Sequence, residues 1–171
     1  MNSFKLSDGL FLDQVRKVAR EFPQVELDEV LVDAMTAHLV RDASRFDVIV
    51  ATDFYGDILS DLASELSGSI GLAGSIMASD NHCCAQAQHG SAPDIQGQDR
   101  ANPTSMILSA AMLLQWMGAH HRVESLVRAG AAMDAAVDRV LADPTSRTAD
   151  LGGELGCQAF GEHVVKAVRS V

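Results

Sequence analysis

The stretch from Phe46 to Leu66 constrains this chain more than any other. Phe46-Asp-Val-Ile-Val-Ala51 is a short apolar run with β-branched residues, which reads as a buried strand. Within a few residues it gives way to Gly56-Asp-Ile-Leu-Ser-Asp61, where Ile58, Leu59, Leu62, Ala63 and Leu66 fall at the spacing of one helical face. Asp57 and Asp61 are four apart, so on a helix both carboxylates leave the same face. Two accounts fit that pair. It is either a solvated acidic first turn favoured by the helix dipole, or a pair of hard oxygen ligands whose repulsion a divalent cation such as Mg2+ or Mn2+ would reverse. From spacing alone the solvated turn is the plainer account.

The remaining segments suit the same architecture. Asn2 to Leu6 reads as extended, and Ser7 is placed to cap a helix with apolar positions at Leu10, Phe11, Val15 and Val18, ending before Pro23. Val25 to Val32 alternates like a half-buried strand, Asp33 follows it directly, and a helix from Ala34 to Val40 comes next. Helix, strand, helix, strand, helix in this order predicts an α/β fold, with helices packed on a mixed sheet. Gly68-Ser-Ile-Gly71-Leu-Ala-Gly74 follows a helix and lacks the G-x-G-x-x-G spacing, so it reads as a joint or turn. Ser79 to Arg100 has little periodicity and reads as irregular chain. Within it, His89-Gly-Ser-Ala-Pro-Asp-Ile95 carries small residues that let backbone N–H groups approach an anionic or nucleotide ligand, and Asp94 could accept from a ribose hydroxyl. A plain surface turn fits the same composition. Helices are predicted over Thr104 to Met117, Val123 to Leu141 and Gly156 to Val168, with turns at His120-His121 and Thr148 to Gly153.

Charge excludes some functions. With 23 acidic against 13 basic residues the net charge is -10, which argues against a nucleic-acid partner. No apolar run approaches the roughly 18 residues of a membrane span, and no basic-apolar leader opens the chain. The three cysteines, Cys83, Cys84 and Cys157, have no metal-type spacing and suit reduced thiols, so the cytoplasm is the expected compartment.

Taken together, Ser7-Asp-Gly-Leu-Phe11, Asp33, Phe46 to Val50, Gly56 to Asp61, His89 to Asp94, and Ala101-Asn-Pro103 before Ile107 to Met112 resemble the isocitrate/isopropylmalate dehydrogenase family of metal-dependent β-decarboxylating dehydrogenases. The resemblance covers the chain from Asn2 onward and matches the C-terminal half of that fold. It implies that Asp57 and Asp61 hold Mg2+ or Mn2+ together with Asp33, which the family supplies from the neighbouring subunit of a dimer. It implies an NAD site formed by His89, Gly90, Ser91, Ala92, Pro93, Asp94, Ile95 and Asn102, with Asp94 excluding the 2'-phosphate of NADP. Residues 1–68 would belong to the smaller, dimerising domain and 69–171 to the larger, cofactor-binding domain.

The departures bear on function. Family members are about twice as long, and the other half carries the substrate-clasping arginines and the catalytic tyrosine. The family's catalytic lysine would lie immediately before Met1, and Lys5 is no substitute, so no catalytic residue is assigned within the chain. Asp53 stands where the family usually has Asn, and Gln86-Ala87 replaces an acidic-proline pair. The expected function is NAD-dependent oxidative decarboxylation of a small-molecule 2-hydroxy acid of the 3-isopropylmalate type, with tartrate, malate or isocitrate as alternative substrates. The expected partners are a second copy in a homodimer or higher oligomer, or a chain carrying the N-terminal half. The rival expectation is a non-catalytic homologue that acts in dimerisation or in nucleotide or metal binding.

Overall fold

The computed structural model describes residues 4–170. The chain divides into two compact units, Met1–Leu66 and Ser67–Val171. The α/β class is met in partial form: helices dominate, and among the described residues the sheet consists of one antiparallel hairpin.

The first unit contains helices α1 (Lys5–Ala19), α2 (Val32–Asp42) and α3 (Asp53–Ser67). Helix α1 begins at Lys5, so Lys5 and Leu6 are helical rather than extended, and Asn2 lies outside the described residues. Ser7 sits inside the helix, its hydroxyl donating to the Phe4 carbonyl (3.5 Å), and does not cap it. Helix α3 begins at Asp53, which places Gly56 in its first turn instead of at its opening. Met35, Leu39 and Leu59 form the small core, with Val30, Val32, Phe46 and Leu62 packed against it.

The strands expected at Val25 to Val32 and Phe46 to Ala51 are not formed: neither segment belongs to a ladder, and α2 begins at Val32. The reason is pairing. A strand's backbone groups are satisfied by a neighbouring strand, and among the described residues this unit offers none. Both segments are left with outward apolar side chains, Val25 at 62%, Val48 at 80% and Val50 at 65% exposure. Arg16 of α1 grips Glu29 with two hydrogen bonds, Nε to Oε1 at 2.6 Å and Nη2 to Oε2 at 2.7 Å, and so ties the first segment to the helix.

In the second unit β1 (Gly74–Ala78) pairs antiparallel with β2 (Cys83–Ala87), from Gly74 opposite Ala87 to Ala78 opposite Cys83. Strand β2 lies inside the stretch expected to be irregular. Its Cys-Cys-Ala-Gln-Ala sequence has little strand preference, and its place is set by helix α4 (Thr104–His121). Two fully buried serines one turn apart on α4 hold the hairpin. Ser105 Oγ donates to the Ala73 carbonyl and accepts from Gln88 N (3.2 Å). Ser109 Oγ accepts from Ser75 N (2.9 Å) and lies 2.7 Å from the carbonyls of Gln86 and Ser105, which share its proton.

Helices α5 (Glu124–Ala142) and α6 (Cys157–Val168) complete the unit. Ala136, Val137 and Val140 of α5 meet Phe160 and Val164 of α6 in the main core, with Ile107 and Leu108 of α4 against them. His120 and His121 form the last turn of α4 instead of a loop, and His120 stacks on Trp116 with ring centroids 4.8 Å apart. Gly118 is a packing glycine inside α4. A Cβ there would sit 2.6 Å from Val127 Cγ2 of α5, and one on Gly130 would sit 2.6 Å from the Ala111 carbonyl oxygen. The helix instead ends at Arg122, in the left-handed region with φ 56°.

Two substitutions on the same turns of α4 should have opposite effects. Ser109→Ala strands buried backbone groups of both strands and should cost about 1–3 kcal/mol. Thr104 Oγ1 is buried with no hydrogen-bond partner among the described residues, so Thr104→Val should leave stability unchanged or raise it. Urea denaturation followed by circular dichroism checks both.

Candidate metal and dinucleotide sites

Asp57 and Asp61 are exposed on α3 one turn apart, so the helical spacing that places two carboxylates side by side is present. Asp33 lies in the first turn of α2, exposed, its Oδ1 accepting from Ala34 N at 2.8 Å. Among the described residues no three His, Cys, Asp or Glu side chains form a metal-holding group within one chain. Asp33 therefore does not join Asp57 and Asp61 in the same copy. The pair itself fits a hard divalent cation, having two carboxylates on a regular helix and no soft ligand between them.

Asp8, which the sequence reading quoted only as part of a motif, turns out to be buried at 9% exposure. Tyr55 on α3 donates to its Oδ2 at 3.4 Å. Burial, then the neighbouring Asp8 charge, pushes the Tyr55 phenol up from its ordinary value. Both residues line a cleft of about 910 Å3 whose other walls are the two unpaired extended segments with Phe11, Leu12 and Val15 of α1 and Met35 of α2.

The loop His89 to Ile95 joins β2 to the approach of α4. His89 is half-buried, its Nδ1 2.9 Å from the Gly90 carbonyl oxygen, while Gly90 through Asp94 are exposed. Ala92 adopts φ 43°, in the left-handed region, and turns the chain into a single 3-10 turn at Pro93–Ile95. Ile95 N donates to the Ala92 carbonyl (3.1 Å), and Gln98 Nε2 donates to the Asp94 carbonyl (2.7 Å), leaving the Asp94 carboxylate on the surface. Nothing lies within 4 Å of the place where a Cβ on Gly90 would stand. This open, small-residue backbone can receive an anionic or ribose-bearing ligand.

The far end of the loop is tied down by residues that local reading missed. Asp99, at φ 54°, accepts from Cys157 N through its carbonyl (3.0 Å) and from Gln158 N through Oδ1 (2.9 Å), so it caps α6 from a distance. Burial, with the Asp99 charge, raises the Cys157 thiol above its ordinary value. Asn102 is buried, its Nδ2 donating to Asp150 Oδ2 (2.9 Å) and its Oδ1 accepting from Thr104 N (3.0 Å). Asp150 also accepts from Ser69 Oγ (2.5 Å) and from Thr148 Oγ1 (2.5 Å). Burial alone would push its carboxyl up, but these donors outweigh it and hold the group below the usual carboxylate value. The only local signal for Asp150 was its place in a turn. The partners that give it a role lie 81 and 48 residues away.

A family profile described as isocitrate/isopropylmalate dehydrogenase matches residues 1–164. The chain belongs to the isocitrate/isopropylmalate dehydrogenase family. It is 46% identical over 170 residues to the isocitrate/homoisocitrate dehydrogenase of Thermus thermophilus, covering 99% of this chain and 48% of that protein. It is 39% identical over 172 residues to the mitochondrial isocitrate dehydrogenase [NAD] subunit alpha of Homo sapiens, covering 99% and 45%. Among solved structures, the isocitrate dehydrogenase of Methylococcus capsulatus superposes with a TM-score of 0.86 at 38% identity, covering 96% of this chain and 47% of that one. The β-decarboxylating dehydrogenase of Thermococcus kodakarensis, in its apo form, gives 0.79 at 33% identity, covering 99% and 48%. The chain thus spans about half the length of the relatives it matches. No helix among the described residues is long and apolar enough to cross a membrane.

The lowered Asp150 carboxyl sets a pH dependence. A group whose folded value is depressed adds stability above its unfolded value, about pH 4, and loses it as pH falls through the folded value. The gap in urea midpoint between the wild type and Asp150→Asn should therefore be largest near neutrality and shrink below about pH 4. Titrating the midpoints from pH 7 to 3 checks the sign.

Proposed function

We propose that this chain supplies the metal-binding and NAD-binding half of a β-decarboxylating dehydrogenase acting on a small 2-hydroxy acid. The observation that carries the reading is the conjunction of two exposed carboxylates one turn apart on α3 with the open loop His89 to Ile95, in a chain of this family. Asp57 and Asp61 would hold Mg2+ or Mn2+, and Asp33 of a second copy would complete the set. Bound there, such an ion would supply Lewis-acid chemistry, stabilising negative charge that develops on the substrate's oxygens. Gly90 to Pro93 would present backbone to the dinucleotide. The exposed Asp94 carboxylate would accept from the ribose 2'-hydroxyl and repel a 2'-phosphate. The 3-isopropylmalate expectation gives way within this reading to an isocitrate-type substrate, because the relatives are named for isocitrate and homoisocitrate.

The reading assigns residues 1–68 to a dimerising domain and 69–171 to a cofactor domain of a cytoplasmic enzyme, working with a second copy or with a chain carrying the N-terminal half. The outward Val48, Ile49 and Val50 support such a partner, since an unpaired apolar extended segment is a template for strand addition. A non-catalytic role in dimerisation or in nucleotide or metal binding is the second reading, favoured by the outward apolar residues of the first unit's extended segments.

Three measurements test this. Titration calorimetry should show NAD binding more tightly than NADP, and the reverse order would refute the Asp94 assignment. The isolated chain should give no turnover with NAD, Mn2+ and either isocitrate or 3-isopropylmalate, and clear turnover would refute its dependence on a partner half. Light scattering should show association, and a monodisperse monomer would count against the partner surface.

A further inference from the structure

The Asp150 carboxylate lies where three distant segments meet. Ser69 comes from the turn leading into β1, Asn102 from the approach to α4, and Thr148 from Asp150's own turn. Each supplies one donor, and no acceptor faces the group among these contacts. Ser69 Oγ in turn accepts from Gly71 N (3.1 Å). A Cβ on Gly71 would stand 2.9 Å from Asn102 Cβ, so the 69–71 turn is pressed directly against Asn102.

Asn102 has its side chain engaged at both ends. Its carbonyl oxygen holds Thr104 N at the first turn of α4, and its amide holds Asp150. A residue at 8% exposure with both polar ends engaged acts on a bound nucleotide chiefly by where it puts the chain. The orientation of that amide follows from the charge at 150, because a carboxylate accepts from every donor around it. An Asn at 150 has the same shape but no charge, so its oxygen accepts more weakly, and its NH2 must either meet the Asn102 amide donor to donor or force the Thr148 hydroxyl to turn round and accept.

We propose that Asp150 is a positioning residue for the dinucleotide loop: by orienting Asn102 it fixes the α4 end of the segment that runs from His89. The ligand part of this proposal rests on the NAD-site reading above. The holding of the loop does not. Ser105, through Gln88 N, and Asp99, through Gln158 N at the start of α6, anchor the same loop elsewhere, so the loss of Asp150 should loosen one end and not unfold the unit.

The test compares wild type, Asp150→Asn, and the swap Asp150→Asn with Asn102→Asp, which moves the carboxylate across the same hydrogen bond. Amide hydrogen exchange is read over residues 69–72 and 88–104 and over α5 and α6. NAD titration calorimetry is run on the same samples. Asp150→Asn should raise exchange in the first two segments and weaken NAD about tenfold or more, a typical loss for a residue that orients a ligand-binding group. Protection in α5 and α6 should stay at the wild-type level. The swap should restore both readouts to within about threefold. Exchange that rises evenly across the unit, or not at all, would overturn the proposal, as would a swap that recovers nothing. If the wild type binds no NAD, the cofactor reading fails, and with it the ligand half of this proposal. The exchange pattern would still decide whether Asp150 holds the loop.

Discussion

A buried backbone N–H or C=O that finds no partner costs about as much as several good contacts supply. The second unit depends on how α4 meets this constraint. Two strands alone make a marginal hairpin, and this one has weak strand formers on its second side. Ser105 and Ser109 reach the ends of both strands from a helix interior, where small side chains allow the sheet to approach. Gly74 shows how close that approach is: a Cβ there would sit 3.0 Å from Leu108 Cβ and Met112 Sδ. Hydrogen bonding and packing therefore locate the hairpin together, and the loop that leaves β2 inherits its starting point from them.

The first unit shows the same constraint unmet. Its two extended segments have the composition of strands but, among the described residues, no neighbour to pair with, and Val25, Val48 and Val50 face outward. The core beneath them is three buried residues and their immediate neighbours. The cleft bounded by Asp8, Tyr55 and these segments lies along the same surface.

At the candidate sites, regular helix geometry accounts for Asp57 and Asp61, whereas the loop His89 to Ile95 is shaped by residues outside it. Ala92 turns it, Gln98 ties back its one-turn helix, and Asp99 and Asp150 secure its far end to α6 and to the 69–71 turn. Asn102, expected from the resemblance to meet the dinucleotide, is a buried link in that framework.

The sequence by itself determined the helices α2 through α6 to within a few residues, the side-by-side aspartates on α3, the loop His89 to Ile95 and the family. Helical hydrogen bonds close within a segment, so their periodicity is written locally, and the family's motifs are contiguous. Only the tertiary structure decided which strand-like runs became strands: Cys83 to Ala87 did, and Val25 to Val32 and Phe46 to Ala51 did not. A strand is completed by a partner that its own residues do not name. The same reason hid Asp150 and Asp99, whose roles are defined by donors far along the chain and brought near only by packing.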